Sequence, residues 1–369
     1  MFELVHQSTK SAARVGRIHT PHGIIETPNF VPVATNAAIK AVDAHTLAEV
    51  GIQLMFCNTY HLLVHPGADV VQAAGGLHTF MQRNAPIITD SGGFQVFSLA
   101  YGSVHSELKS KGTKKHDGCV LKISEEGALF RSYRDGTPIM LTPESSVQAQ
   151  KALGADIIIP LDELPPYHIG PQALLQSFNR THRWQERSLI EHKANTANQI
   201  MYAVVHGGTD PALRAQSCAI LRKLPFDGFS IGGSLGKTRD EMAQVVAATT
   251  PHLPAPFPRH LLGIGDLPSI QACIPFGIDT FDSSYPTKCA RHGILLTAQG
   301  PLNITSSRWK HVHEPVSTAP LCRHYSAAYL HHLFKAHELA AYTLATIHNL
   351  DYMMQLMNDY REKILQNQI

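Results

Sequence analysis

The chain has 369 residues, of which 44% are hydrophobic and 16% are charged, and its formal net charge is +2 at pH 7. Its length allows a large buried core, while the small net charge by itself indicates no nucleic-acid partner. The amino terminus lacks the apolar core of a secretion signal, and no run approaches the roughly 18 apolar residues of a membrane span. We therefore expect a cytoplasmic enzyme with free thiols, because the six cysteines form no CxxC pair.

Eight short apolar runs recur along the chain, and each ends in a polar residue or a glycine. Runs of this kind are typical of strands buried on both faces, which belong to parallel sheets. Eight of them predict an α/β fold, a (β/α)8 TIM barrel whose reacting groups lie at the carboxyl ends of the strands. In chain order the runs end near Thr35 and at Asn58, Asp90, Asp162, His206, Gly232, Gly263 and Asp282.

Segments between these runs place apolar side chains at helical spacing and are interpreted as the crossover helices. They cover 41–51, 140–155, 171–194, 209–224 and 234–253. The gap between Asp90 and Asp162 is too long for one crossover, which predicts an inserted loop near 100–120 at the pocket mouth. We expect a catalytic barrel over 1–293, and a small irregular subdomain with closing helices packed on the barrel over 294–369. A long helical segment is predicted from about Ser326 to the end.

Three of the run ends are aspartates, Asp90, Asp162 and Asp282, and the predicted barrel brings them to one pocket. Carboxylates with separate roles suit glycosidic-bond chemistry, in which one attacks the anomeric carbon and another manages the proton on the leaving group. An aspartate at a strand end is also a common helix cap, but three at three strand ends favour chemistry. After Asp90 come Ser91, Gly92, Gly93 and Phe94, which allow close approach of a ligand and stacking of a planar base.

The motifs at these positions resemble those of the queuine tRNA-ribosyltransferase family, the tRNA-guanine transglycosylases. They are TPNFVPVAT, NTYHL, ITDSGGFQVFSL, YRDGTPIMLTPE, LDE, GFSIGG and FDSSYPTK with Ala290 and Arg291. The match is collinear from about Gly16 to Leu356. The resemblance implies exchange of the wobble guanine, in tRNAs whose anticodon begins with guanosine, for a 7-deazaguanine base. It also implies a homodimer.

By the same resemblance, Asp282 matches the nucleophile that forms a covalent ribosyl enzyme and Asp90 the general acid and base. Asp162 is expected to hydrogen-bond the base edge. The remaining substrate-binding positions implied are Ser91, Gly92, Gly93, Phe94, His206, Gly232, Gly233 and Leu262, with Phe94 and Leu262 sandwiching the plane of the base. The RNA-binding positions implied are Gly263, Lys288 and Arg291.

Two departures from the family pattern fall on the base pocket. His206 stands where relatives usually have glutamine, and we expect its imidazole to donate a hydrogen bond to the carbonyl of the base. The loop after Gly233 is one residue shorter than in bacterial relatives, and Lys237 replaces an acid. A lysine repels the ammonium of an aminomethyl base and the shorter loop leaves room, so queuine is the favoured base. The 7-aminomethyl precursor is the alternative.

The third departure concerns the zinc site that is usual in the family. Cys322 and His348 match two of its ligands, but Ser317 and Ala319 stand where the other cysteines are expected. Two ligands are too few for tetrahedral zinc, so we expect no metal and no cofactor. His311, His313 and His324 are conceivable substitutes, although histidines of this kind are more often solvated.

Other functions compete with base exchange. A noncatalytic partner subunit that only binds tRNA would have no chemical need for Asp90, Asp162 and Asp282 together. An archaeosine-type enzyme would add carboxyl-terminal RNA-binding domains. A barrel glycosidase fits the carboxylates alone, but Phe94 with basic Lys288 and Arg291 favours a base and RNA.

Overall fold

The computed structural model describes residues 1–102, 109 and 120–369, and a closed parallel barrel of eight strands forms its centre. Strands β4, β5, β6, β10, β11, β12, β13 and β14 form the barrel, and β14 closes it against β4. All eight predicted strands are therefore confirmed. The strands are β1 (Phe2–Gln7), β2 (Arg14–Thr20), β3 (Gly23–Thr27), β4 (Asn29–Ala34), β5 (Met55–Cys57), β6 (Ile87–Thr89), β7 (Val120–Ile123), β8 (Ala128–Arg131), β9 (Pro138–Leu141), β10 (Ile157–Ile158), β11 (Ile200–Val205), β12 (Gly228–Ile231), β13 (Arg259–Leu261), β14 (Thr280–Ser283), β15 (Ile294–Leu295) and β16 (Leu302–Asn303).

Helices surround the barrel, and the five predicted crossover segments each contain one. Their amino termini follow the expected chemistry, because Thr142, Asp210 and Thr238 accept hydrogen bonds from the first-turn backbone. The α-helices are α1 (Ala44–Glu49), α2 (Thr59–Val64), α3 (Ala68–Ala73), α4 (Gly76–Met81), α5 (Gly93–Tyr101), α6 (Pro143–Leu153), α7 (Pro171–Ala194), α8 (Pro211–Leu221), α9 (Arg239–Thr249), α10 (Leu267–Cys273), α11 (Tyr285–Arg291), α12 (Ala327–Lys335) and α13 (Leu339–Leu365). Short 3₁₀ helices cover Thr250–His252, Ile274–Phe276 and Ser307–Trp309.

Two antiparallel sheets flank the barrel, and the strand runs did not predict them. Strands β1, β2 and β3 form one sheet ahead of the barrel. Strands β7, β8 and β9 form the other, within the long connection between Asp90 and Asp162. Most of the predicted inserted loop near 100–120 lies outside the described residues, but the described end of this connection is a sheet.

The last part of the chain is helical, with a break that the sequence pattern did not predict. The predicted single segment from about Ser326 is two helices, α12 and α13, separated near His337, whose φ of 57° is incompatible with a continuous helix. Helix α13 packs against α11 and against β1, β2 and β4, so the end of the chain covers the strands where the barrel closes.

A buried ion pair ties the amino-terminal sheet to the barrel. Arg14 of β2 contacts Asp279, and both side chains are fully buried. The guanidinium also donates to the carbonyls of Ala255 and Phe257, and the carboxylate accepts from the backbone N–H of Arg259. Every strong polar group of this pair therefore has a partner, as burial of charge requires. Asp279 directly precedes β14, so the pair fixes the strand that carries Asp282.

Among the described residues, no helix is both long enough and apolar enough to cross a bilayer.

Candidate active site

A cavity of about 730 Å³ opens at the carboxyl ends of the barrel strands. The three predicted carboxylates, Asp90, Asp162 and Asp282, all line it. Of the other predicted positions, Ser91, Phe94, Gly232, Gly233, Leu262 and Gly263 line it as well. Gly92, Gly93, His206, Lys288 and Arg291 do not line this cavity.

Asp90 follows β6 and is buried among donors. Its Oδ2 accepts hydrogen bonds from Asn58 Nδ2 (2.7 Å) and Gln95 Nε2 (3.0 Å), and its Oδ1 accepts from the backbone N–H of Thr59 (2.8 Å). Burial raises the pKa of Asp90 to about 6, although these hydrogen bonds oppose the shift. Such a carboxyl group gains and loses a proton near neutral pH, which suits general acid and base catalysis.

Asp282, on β14, is held by one oxygen only. Its Oδ1 accepts from the backbone N–H of Gly263 at 2.8 Å, and His260 Nε2 lies 3.1 Å from the same oxygen. No donor contacts Oδ2 within the described parts of the chain. One oxygen is thus anchored and the other is available to react, the arrangement that a nucleophilic carboxylate needs.

Asp162 joins the cavity to His206. Its Oδ1 accepts from Ser91 Oγ at 3.2 Å, and its Oδ2 lies 2.9 Å from His206 Nε2. His206 directly follows β11 and is buried, with its Nε2 on the carboxylate and its Nδ1 toward Gly233. The hydrogen bond predicted from His206 to the base stays a prediction, and in this structure the imidazole contacts Asp162.

The walls of the cavity would accept a planar ligand. Phe94 is 46% exposed at the start of α5, and Leu262 lines the cavity after β13. At two positions near the cavity only glycine fits, because of the backbone angle at one and a close backbone contact at the other. Gly233 has φ +73° and faces His206, and a Cβ on Gly93 would lie 2.4 Å from the carbonyl oxygen of Asp162.

Lys288 and Arg291 lie on α11, which begins two residues after Ser283 of β14. Lys288 is exposed and Arg291 is half-buried, with its guanidinium donating to the carbonyl of Thr287 at 2.9 Å. Over the described ranges neither has an acidic partner. The two cations are therefore free to meet an anionic ligand that extends from the cavity.

Comparison with known proteins agrees with this geometry. The sequence model of the family described as queuine tRNA-ribosyltransferase matches residues 8–369. A protein of that name from Protochlamydia amoebophila is 65% identical over 100% of this chain and 96% of its own length. Others of that name from Chlamydia muridarum and Chlamydia abortus are 58% and 57% identical over 100% of this chain and 99% of theirs.

The chain belongs to the queuine tRNA-ribosyltransferase family. The family predicted from the motifs is thereby confirmed, and with it the class of enzyme, a pentosyltransferase. Asn58 and Thr59 of the NTYHL motif and Gln95 of the ITDSGGFQVFSL motif hold Asp90, a role that was not predicted from the sequence. The contact of His260 with Asp282 was not predicted either. The signal for the first three was their place in those motifs.

The four positions of the family's zinc site are filled by other interactions here. His348 uses both ring nitrogens, one with Ser317 Oγ (2.8 Å) and one with the carbonyl of Leu296 (2.9 Å). Burial raises the pKa of the Cys322 thiol to about 11, and Ala319 is a buried apolar residue. Cysteine binds zinc as a thiolate and histidine through a free ring nitrogen, so these residues as arranged here do not fit the metal. His311, His313 and His324, the conceivable substitutes, are all exposed.

Within the residues that the structure describes, one other cluster resembles a metal site. His22 Nδ1 and His78 Nε2 contact opposite oxygens of Asp156, at 2.7 and 3.1 Å. The two rings stack with centroids 3.5 Å apart, so no ion could lie in both ring planes. Asp156 also accepts from the backbone N–H of Ile87, at the start of β6. The cluster fastens the β2–β3 turn to the amino-terminal end of the barrel, far from the cavity.

We predict that the purified protein folds without zinc. Elemental analysis should find far less than one zinc per chain, and a chelator should leave the melting temperature unchanged. Cys322→Ala should lower the free energy of unfolding by about 1–2 kcal/mol, as truncation of an ordinary buried side chain does. Stoichiometric zinc whose removal unfolds the protein would contradict this and would mean that other residues complete a site.

Proposed function

We propose that this enzyme exchanges the wobble guanine of tRNAs with guanosine-starting anticodons for a 7-deazaguanine base, through a covalent ribosyl-aspartate intermediate. One observation carries the proposal: in a chain of this family, Asp90, Asp162 and Asp282 line a single cavity with different hydrogen-bond partners. A noncatalytic tRNA-binding subunit would not need three carboxylates with different hydrogen-bond partners. The proposal needs no cofactor, and the expected homodimer remains part of it.

In the first step, Asp282 Oδ2 attacks C1′ of the ribose while Gly263 N–H holds Oδ1. The C1′–N9 bond breaks and its electron pair leaves with guanine. Incoming base then attacks the same carbon with N9, the ester bond breaks, and its electron pair returns to the Asp282 carboxylate. Two displacements at one carbon give net retention of configuration.

Asp90 moves the proton in both steps. Protonated, it donates to the departing guanine, and the carboxylate so formed takes the proton from the incoming base. Burial places the pKa of Asp90 at about 6, so both protonation states are accessible near neutral pH. Asn58, Thr59 and Gln95 keep its oxygens in place throughout.

Asp162 supplies the acceptor for the amino and imino edge of the base, since a carboxylate suits two neighbouring N–H donors. Ser91 and His206 hold it from opposite sides. Phe94 and Leu262 cover the faces of the ring, and the backbone of Gly232 and Gly233 meets its remaining edge. Lys288, Arg291 and Gly263 would contact the anticodon strand beside the reacting nucleotide.

The loop after β12 supports queuine as the favoured base. Lys237 lines the cavity, and its ammonium lies 5.9 Å from the centre of the Tyr167 ring. The nearby carboxylate, Glu241, is already engaged, because it accepts from Tyr167 Oη (2.9 Å) and from the backbone N–H of Lys237 (2.8 Å). A cationic aminomethyl group would therefore meet a lysine, with the Glu241 carboxylate already held by other donors, whereas a neutral diol would not be repelled. Insertion of the aminomethyl precursor is the alternative.

We predict that Asp282→Asn abolishes exchange, by about 10⁴-fold or more, and leaves tRNA binding within about 3-fold of wild type. The amide keeps the size of the side chain but loses the charge needed for attack. Exchange of labelled guanine and a gel-shift assay measure the two quantities. Asp69→Asn, at an exposed helical carboxylate, is the control and should behave as wild type. Near-normal exchange by Asp282→Asn would contradict the assignment of Asp282 as the nucleophile.

The pKa of Asp90 predicts how formation of the covalent intermediate depends on pH. The acid that protonates guanine is present below a pKa of about 6 and is lost as pH rises through it. Single-turnover formation of the tRNA–protein adduct should slow between about pH 5 and about pH 8. Asp90→Asn should be slower by about 10²- to 10⁴-fold and flat over that range. An unchanged pH profile in the variant would show that another group supplies the proton.

The preference for queuine is tested by kcat/KM for the two bases on one tRNA, with queuine expected to be favoured. Lys237→Glu should shift the ratio toward the aminomethyl base by about 5-fold, the size of a partly exposed charge interaction. Lys223→Glu makes the same change of charge at an exposed position outside the cavity and should leave the ratio unchanged. A wild-type preference for the aminomethyl base would overturn this part of the proposal.

A further inference from the structure

A buried histidine lies directly beneath the proposed nucleophile. His260 is on β13, its side chain is completely buried, and its Nε2 lies 3.1 Å from Asp282 Oδ1. The approach is off the axis that a hydrogen bond requires, so Nε2 has no hydrogen-bond partner in the described structure. A buried polar atom without a partner is costly and calls for an explanation.

The tautomer of His260 follows from its neighbours. An unprotonated Nε2 would set its lone pair against the lone pairs of the Asp282 carboxylate in a dry interior, so Nε2 carries the proton. The other ring nitrogen, Nδ1, then accepts from the hydroxyl of Thr280 at 2.8 Å. Thr280 pairs with His260 across strands β13 and β14 and lies two residues before Asp282 on the same face. Strand register alone therefore aligns the three side chains.

We propose that His260 is a positioning residue for Asp282, an inference that rests on the proposed function of that aspartate. With Gly263 N–H, which donates to Oδ1, its Nε2–H places a second donor beside Oδ1, the oxygen that does not attack. The pair keeps Oδ2 directed toward C1′.

The same donors act again when the intermediate breaks down. As the C1′–Oδ2 bond breaks, its electron pair returns to the carboxylate, and negative charge develops on Oδ1 as well as on Oδ2. A slight rotation of the carboxylate brings Oδ1 onto the axis of the Nε2–H donor. Preorganised donors that strengthen only as charge develops accelerate the chemical step and leave ground-state binding unchanged. His260 gains and loses no proton in this scheme.

The decisive variants separate the N–H donor from the volume of the ring. His260→Leu removes the donor and should lower kcat by about 100-fold, the usual loss for one such donor, with KM for tRNA within about 3-fold. His260→Gln restores a side-chain N–H and should recover at least about 10-fold of that loss. Thr280→Val keeps the ring but removes the hydroxyl that fixes the tautomer, and should lower kcat in the same direction.

His192→Leu is the matched control, because His192 is also a fully buried histidine whose Nε2 lacks a partner, but it lies near the end of α7 outside the barrel. It should change the melting temperature without changing kcat of the folded enzyme. If His260→Leu does not fold, His260→Gln and Thr280→Val carry the test alone. Normal kcat in both, or a loss in Thr280→Val that appears entirely in KM, would overturn the inference.

Peptide mapping of the trapped wild-type adduct identifies the residue that attacks the ribose, and so tests the proposed function separately from the role of His260. An adduct on a residue other than Asp282 refutes the proposed function and, with it, the role of His260. An adduct on Asp282 that forms and decays at wild-type rates in His260→Leu refutes only the positioning role. We expect an adduct on Asp282 whose formation and decay are both slowed in His260→Leu, because the same donors serve both steps.

Discussion

A closed parallel barrel must end all eight of its strands at one rim, and the chemistry of this protein depends on that constraint. Asp90, Asp162 and Asp282 are separated by up to 192 residues in sequence, yet each follows or ends a barrel strand and so reaches the same cavity. Closure requires β14 to pair with β4, and the buried Arg14–Asp279 ion pair fixes the entry to β14. The position of the proposed nucleophile thus depends on an ion pair at the opposite end of its strand.

Three carboxylates in one cavity can take different roles because their surroundings differ. Asp90 is buried among three N–H donors, and its raised pKa follows from desolvation that outweighs those donors. Asp162 has an imidazole on one oxygen and a hydroxyl on the other, so it is held as an acceptor. Asp282 has donors near one oxygen only. The number and direction of the neighbouring donors, more than the residue type, distinguish the proposed acid, acceptor and nucleophile.

Periodicity was sufficient for the barrel because strands buried on both faces leave a strong signal in the sequence. Strands β1 and β7 are largely exposed, so neither leaves a continuous apolar run in the sequence. The break near His337 lacks the glycine or proline that usually marks a helix end. At the site, Asp90, Asp162 and Asp282 were predictable from strand ends, whereas the contact of His206 with Asp162 depends on side-chain direction. The role of His260 was not predictable because a single histidine within an apolar strand gives no sequence pattern that marks it as functional.

The positions of the family's zinc ligands are held together here by other interactions. Tetrahedral zinc joins four side chains at one point, and here the same positions are joined by the hydrogen bonds of His348 to Ser317 and to the carbonyl of Leu296. Apolar contacts of Ala319 and Cys322 with the main core fill the space. Each of these interactions is weaker than a zinc–thiolate bond. None of them requires a deprotonated thiol, so the raised pKa of Cys322 does not weaken them. Helix α13 carries His348 and also packs on β4. Disrupting the hydrogen bonds of His348 would therefore also disturb the pairing of β14 with β4, which closes the barrel.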